Sequence, residues 1–380
     1  MSDTRAPDRP TVQMVGHNPV LLWGMDTAER TRRIAAAAGL AFAPSEAADG
    51  GPRLLVDAGY AFDPAWLRTL AARPGHVLTV AGKPVIAHVA DADADAAHAH
   101  AAADIASGRI PAGLTVMPHE RGGAMVNDEL RKREVPFATP LTPATVAAVE
   151  RASYVGAYKG VTDVLTKYLW PEWALFLTRR CAASGISPNM VSTVGALLCV
   201  ATTILFAYGQ YWLGLALGLL FMVLDTVDGK LARCTITASK WGHLLDHGVD
   251  LIHPPFWYVA WALGLYAWGL ELSPPVFTAT MAVIIGGYIA QRLIEGAFIA
   301  LFGMHIHVWR KIDSDFRLVT ARRNPNVVIL AGFLAVGRPD LSIVAVAWWT
   351  AISLVVHLSQ MAQAAISRLR GRPIRSWLDG

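Results

Sequence analysis

Four aspartates interrupt otherwise apolar sequence: Asp225 and Asp228 in the run Asp225-Thr226-Val227-Asp228-Gly229-Lys230-Leu231-Ala232-Arg233, then Asp246 and Asp250 beyond Gly242. Spacings of three and of four residues put each pair on one face of a helix. Two such helices facing each other bring four carboxylates together. Unpaired carboxylates are costly at membrane depth and the flanks hold no loop long enough to solvate all four, so a compensating cation is expected. Oxygen donors alone suit a hard ion such as Mg²⁺ or Mn²⁺. The chemistry implied is that of a metal site.

The full spacing, Asp-x2-Asp-Gly-x2-Ala-Arg-x8-Gly-x3-Asp-x3-Asp, resembles the signature of the CDP-alcohol phosphatidyltransferase family and matches it at all eight fixed positions. The resemblance covers about residues 160–365. It implies an α-helical membrane enzyme with six transmembrane helices and a juxtamembrane amphipathic helix. Such an enzyme transfers a phosphatidyl or other phosphoalcohol group from a CDP-linked donor, such as CDP-diacylglycerol, to the hydroxyl of an acceptor alcohol and releases CMP. It further implies two metal ions with Asp225, Asp228 and Asp246 as principal ligands, Asp250 completing the site and acting as general base, and a homodimer. Beside Asp228, the small residues Gly229, Ala232 and Gly242 leave room for the cytidine nucleotide, and Arg233 offers charge-assisted hydrogen bonds to phosphate. Small residues also serve close helix packing in membranes.

Composition divides the chain. It is 380 residues long, 54% hydrophobic, with mean hydropathy +0.38. Residues 1–150 carry 14 Lys+Arg against 17 Asp+Glu, and the rest carry 19 against 12, so a mildly acidic soluble part precedes a basic, Trp-rich membrane part. The basic balance suits membrane lipids and phosphate substrates; no Lys/Arg run with interleaved aromatics points to nucleic acid. Cys181, Cys199 and Cys234 are scattered and read as reduced packing residues. Met1–Pro10 is polar, with no secretory pattern.

Residues 1–135 read as a soluble α/β domain. Short apolar runs at Thr11–Val15, Leu54–Val56, Val77–Val80 and Val85–Val89 alternate with helices over Thr27–Ala38 and Pro64–Ala72, which predicts a largely parallel sheet. The segment 91–107 is Ala/Asp/His-rich and reads as a surface helix, with His98 and His100 lacking partners at metal-ligand spacing. Leu21–Asp26 and the following helix resemble the start of a nucleotidyltransferase-like domain. A working version needs a glycine-rich phosphate loop and a basic residue. Met14-Val15-Gly16-His17-Asn18-Pro19 has one glycine and no Lys or Arg, so a degenerate domain is expected, and the membrane part should work without it. The alternative is a bifunctional chain that also makes a CDP-alcohol.

Residues 136–158 read as a Pro-rich linker and a helix, and 159–380 as the membrane domain. An amphipathic segment at 164–181 should lie on the cytoplasmic surface. Spans follow at about 190–207, 212–233, from 241, at 275–302, 325–337 and 341–365. The positions of Arg and Lys put the site and both termini of this multi-pass chain on the cytoplasmic side. His243, His247 and His253 interleave with the acids and are either metal ligands or donors to carboxylate and phosphate. Arg292 inside the fourth span either serves the substrate or pairs with Glu295. The loop 305–324 adds His305, His307, Arg310, Lys311, Arg317, Arg322 and Arg323; of these Arg310, Lys311, Arg322 and Arg323, with Arg292, are candidates for acceptor or phosphate binding. A metal-ion transporter using the four acids, or an inert membrane anchor, remains open on the residues alone.

Overall fold

The computed structural model describes residues 9–43, 51–90, 94–238 and 240–379; the side chains of residues 94, 95, 240, 241 and 243–247 lie outside the description. The N-terminal part holds β1 (Thr11–Val15), α1 (Thr27–Ala37), β2 (Phe42–Ala43), β3 (Arg53–Asp57), β4 (Tyr60–Phe62), α2 (Pro64–Ala71), β5 (His76–Val80), β6 (Lys83–Val89), α3 (Ala94–Ala106), β7 (Thr115–Pro118), β8 (Met125–Asn127), β9 (Lys132–Glu134) and β10 (Ala138–Pro140). Of the segment read as a surface helix, residues 91–93 lie outside the described residues, and α3 follows.

Helix starts follow their caps. Asp26 accepts from Glu29 N, and Asp63 accepts from Ala65 N with Pro64 in the first turn. The main sheet runs β2-β1-β3-β6-β5-β7. Its core lies on both faces: Leu54, Val56 and Ile86 pack with Trp66, Leu67 and Ile34 on one, Leu55 and Ala87 with Ala101 and Ile105 on the other. Two covered faces explain why the strands read as unbroken apolar runs.

The sheet is mixed rather than largely parallel, because β6 runs antiparallel to both β3 and β5. The reason is a tight turn: Ala81 and Gly82 both have positive φ (48° and 76°), the geometry of a two-residue hairpin. A Pro-rich segment expected to be a linker is partly structured too, with β10 pairing antiparallel to β4.

The remainder is helical: α4 (Val146–Gly156), a single π-turn at Leu165–Leu169, α5 (Pro171–Ala183), α6 (Pro188–Ala207), α7 (Tyr211–Cys234), α8 (Lys240–Gly264), α9 (Pro274–Phe302), α10 (Lys311–Arg317), α11 (Arg323–Ala335) and α12 (Pro339–Leu369). Ser187 caps α6 with Pro188 behind it. Gly209 turns the chain between α6 and α7 at φ 70°, and a Cβ there would lie 2.6 Å from the Gly264 carbonyl oxygen. Phe206, Tyr211, Trp257 and Trp261 fill the space below this corner.

Helices stand at all six expected span positions, but only α6, α7, α9 and α12 are long and apolar enough to cross a bilayer among the described residues. With 13 residues, α11 reaches about 20 Å, short of the hydrocarbon thickness of about 30 Å. Apolar side chains on the outward faces, among them Leu197, Leu293, Trp348 and Val355, are more than half exposed, as lipid-facing positions should be.

The two parts share one core. Leu22, Trp23 and Met25 pack with Val149, Tyr154, Ala174, Leu175, Val191 and Leu231, and Trp23 Nε1 donates to Ser153 Oγ at 2.7 Å. Arg33 of α1 donates to Thr235 O at 2.9 Å, and Ile236 packs against the core of the N-terminal sheet. The N-terminal α/β part therefore grips the connection between α7 and α8, and truncating it would uncover these buried residues.

Candidate active site

Asp225 and Asp228 lie one turn apart on α7, and Asp246 and Asp250 one turn apart on α8. The N-terminus of α11 connects the two helices. Arg323 Nη2 donates to Asp225 Oδ2 at 2.8 Å and Nη1 donates to Asp250 Oδ1 at 2.9 Å, so two acids 25 positions apart meet on one guanidinium. That guanidinium lies over the Phe221 ring, 4.9 Å from its centroid. Arg323 Nη1 also stands 3.5 Å from His253 Nε2, and His253 Nδ1 donates to Val249 O at 2.6 Å, an assignment that makes the ring neutral with Nε2 as acceptor. His253 thus supports the guanidinium. Asp228 is buried and accepts from Ser192 Oγ of α6. The side chains of Asp246, His243 and His247 lie outside the described residues.

Beside the acids, Lys230 Nζ and Arg233 Nε both donate to Ala157 O, at 3.0 and 3.1 Å. Lys230 also sits 3.5 Å above the Tyr158 ring. A Cβ on Gly229 would lie 3.1 Å from Arg233 Nη2, so the glycine gives the arginine its room.

These groups border a cavity of 650 Å³. Asp225, Gly229, Arg233, Asp250, Arg292, Arg322 and Arg323 line it, whereas Asp228, Ala232 and Gly242 are not among its described lining residues. Among the described residues, eight Lys and Arg line the cavity against five Asp and Glu, which favours an anionic occupant. Arg310 and Lys311 are elsewhere. Arg310 binds Asp313 and Gln363, and Gln360 donates to the same Asp313, which ties α10 to α12. Lys311 pairs with Asp315 one turn on, at the surface. The sequence had also passed over Glu129, Arg131 and Lys159, which do line the cavity.

Glu295 organises the second end. Its Oε1 accepts from Arg292, from Arg322 and from His307 Nε2 at 3.2 Å. Arg292 therefore both pairs with Glu295 and faces the cavity. Glu295, His307 and His357 place ligand atoms within 4.8 Å of one another, a mixed donor set for a metal, but two guanidiniums on the same oxygen oppose a further cation there. At the motif the donor set is different. Asp225 and Asp250 are hard oxygen donors converging on a single positive centre, and this fits a divalent ion.

Burial holds the His307 imidazole well below its usual range, against the opposing pull of Glu295, and burial also lowers His305. Lowered histidine values mean that the unfolded chain binds protons the native one refuses. Their contribution is full above the unfolded pKa of about 6.5 and is lost as pH falls below it, at up to about 1.4 kcal/mol per pH unit per group. The unfolding midpoint in detergent should therefore fall between pH 7 and pH 5, and His307→Gln should flatten that slope. Equal slopes for the two proteins would show that His307 ionises freely in the native state.

Residues 185–313 match the family model described as CDP-alcohol phosphatidyltransferase. The chain is 33% identical over 129 residues to cholinephosphotransferase 1 of Gallus gallus, covering 31% of this chain and 37% of the relative. It is 27% identical over 201 residues to phosphatidylinositol phosphate synthase of Streptomyces avermitilis, covering 51% and 76% respectively. Thus the chain spans about a third of the length of the cholinephosphotransferases it matches. Among solved structures it is similar to apo phosphatidylinositol phosphate synthase of Mycobacterium tuberculosis, with 18% identity and a TM-score of 0.38, covering 48% of this chain and 93% of that one. Through its motif-bearing helices, the chain is thus similar to the CDP-alcohol phosphatidyltransferase family.

Proposed function

We propose that the chain transfers a phosphatidyl or other phosphoalcohol group from a CDP-linked donor, such as CDP-diacylglycerol, to the hydroxyl of an acceptor alcohol and releases CMP. The observation that carries this reading is the meeting of Asp225 and Asp250 on Arg323 at the wall of a cavity whose described lining is net positive. Asp225, Asp228, Asp246 and Asp250 would hold two Mg²⁺ or Mn²⁺ ions, which when bound neutralise a diphosphate and ease departure of CMP.

The chain's own groups supply the rest. Arg233, on the cavity wall beside Gly229, is placed to hydrogen-bond donor phosphate. Asp250 takes the proton of the attacking hydroxyl. Its side chain is 45% exposed against 18% for Asp225, so it is the acid better able to meet an acceptor and pass the proton to water. Arg323 holds that carboxylate in place by its 2.9 Å hydrogen bond. In the same reading the site and both termini are cytoplasmic, and the chain pairs as a homodimer.

The soluble part is structural in this proposal. Asn18, at the position of the expected phosphate loop, is buried with its amide donating to Ala58 O and Leu141 O. The start of α1 carries Asp26 and Glu29, which oppose a triphosphate at that helix end. Purified protein mixed with CDP-diacylglycerol, Mg²⁺ and a panel of alcohols should release CMP. With CTP and a phosphorylated alcohol alone it should release no pyrophosphate. Absence of CMP across CDP-lipid and CDP-alcohol donors would reject the transferase, and pyrophosphate from CTP would make the chain bifunctional.

A further inference from the structure

Arg131 belongs to the soluble part, on the short loop between β8 and β9, yet its side chain lines the cavity of the membrane part. Its placement is built. The backbone takes φ 50°, in the left-handed region, which a non-glycine residue adopts only where surroundings enforce it. Those surroundings are specific. Gly160 N donates to Leu130 O at 2.8 Å, and a Cβ on Gly160 would lie 2.6 Å from Arg131 O, so only a glycine lets the two strands of chain meet. Lys132 Nζ then donates to Val155 O and Gly156 O at the end of α4. The loop is bolted to the entrance of the membrane part on both sides of Arg131.

The guanidinium is partly buried and donates no hydrogen bond to any described residue. Arg322, Lys159 and His305 face the same cavity, and Glu295 is already engaged by Arg292 and Arg322. Burial and the neighbouring Arg322 charge push Arg131 down to about 10, so it is charged at neutral pH but gains from an anion more than a solvated arginine would. The direction of the cavity is set by two consecutive residues. Arg131 feels the charges of Arg322 and Glu295; Arg322 binds Glu295 and the next residue, Arg323, binds Asp225 and Asp250, so Arg131 and the carboxylates proposed for chemistry line one cavity.

We propose that Arg131 is a substrate-binding residue donated by the soluble part, which pairs with an anionic group, a phosphate monoester in charge and size, on the acceptor whose hydroxyl reaches Asp250. This rests on the transferase reading and narrows its acceptor to the phosphorylated alcohols. It also gives the soluble part a role in turnover without any nucleotide chemistry of its own. A neutral acceptor would leave the partly buried Arg131 guanidinium without an ion-pair partner among the described residues, at a cost in desolvation.

The test uses full-length protein in detergent, wild type beside Arg131→Gln and Arg131→Lys. With CDP-diacylglycerol and Mg²⁺, polyol phosphates should be used at least tenfold better than the same polyols without phosphate. Arg131→Gln should raise the acceptor KM about tenfold or more while kcat changes less than threefold and the donor KM stays level; Arg131→Lys should recover part of the loss. Preference for the unphosphorylated polyol, or an unchanged acceptor KM in Arg131→Gln, overturns the proposal. A second arm needs no turnover: inorganic phosphate should raise the unfolding midpoint of the wild type and not of Arg131→Gln. Lack of CMP release with phosphate binding intact would count against the transferase reading and leave the anion site standing; equal phosphate stabilisation of both proteins would remove the anion site itself.

Discussion

Asp225→Asn, Asp228→Asn and Asp246→Asn should each lower CMP release about a thousandfold while the protein stays folded in detergent. A thousandfold is about 4 kcal/mol of barrier, the scale expected when one carboxylate of a metal-held diphosphate site becomes neutral. Asparagine keeps shape and one oxygen, so packing is spared. Asp225→Asn has an added consequence, because Arg323 would keep only Asp250 as a salt-bridge partner among the described residues. Asp250→Asn is the informative contrast. It should hold the CDP donor nearly as well as the wild type and fail in single-turnover chemistry, since an amide cannot accept the proton. Near-normal CMP release from any of the first three variants would sink the metal-site assignment. Loss of donor binding in Asp250→Asn as severe as in Asp225→Asn would make Asp250 a ligand and leave the base to be found elsewhere.

The acids were legible because helical spacing is local. Three- and four-residue steps fix which side chains share a face, and the caps at Asp26, Asp63 and Ser187 mark where helices start. What faces what across the molecule is not local. Arg310 and Lys311 read like phosphate donors beside Arg322 and Arg323, but a carboxylate three or four residues on captures each of them, Asp313 and Asp315. Arg131 failed in the other direction. The run Asn127-Asp128-Glu129-Leu130-Arg131-Lys132-Arg133-Glu134 has the composition of a solvated hairpin, and only its contact with Gly160 turns one arginine inward. The mixed sheet was lost to a similar cause, since Ala81-Gly82 is a weak turn signal against the stronger run of buried strands around it.

Glu295→Gln should produce the largest loss of stability of any single change at the cavity. Glu295 sits in α9 with its carboxylate shared by Arg292, Arg322 and His307, so one negative charge compensates two guanidiniums in a largely buried setting. Glutamine keeps the volume and can still accept, but it turns the site into two uncompensated positive charges. Removing one partner of a buried ion network costs about 3–5 kcal/mol. For a chain of this length that is a fall in unfolding midpoint of roughly 5 °C. Coupling distinguishes this from a packing defect. If charge is the cause, adding Arg292→Gln to Glu295→Gln should cost less than the two single changes summed, because the second change removes a cation the first left unpaired. Inorganic phosphate should also restore more stability to Glu295→Gln than to the wild type, since the anion takes over the missing charge. A midpoint for Glu295→Gln within a degree or two of the wild type, or strict additivity with Arg292→Gln, would mean that Glu295 does not hold this end of the cavity together.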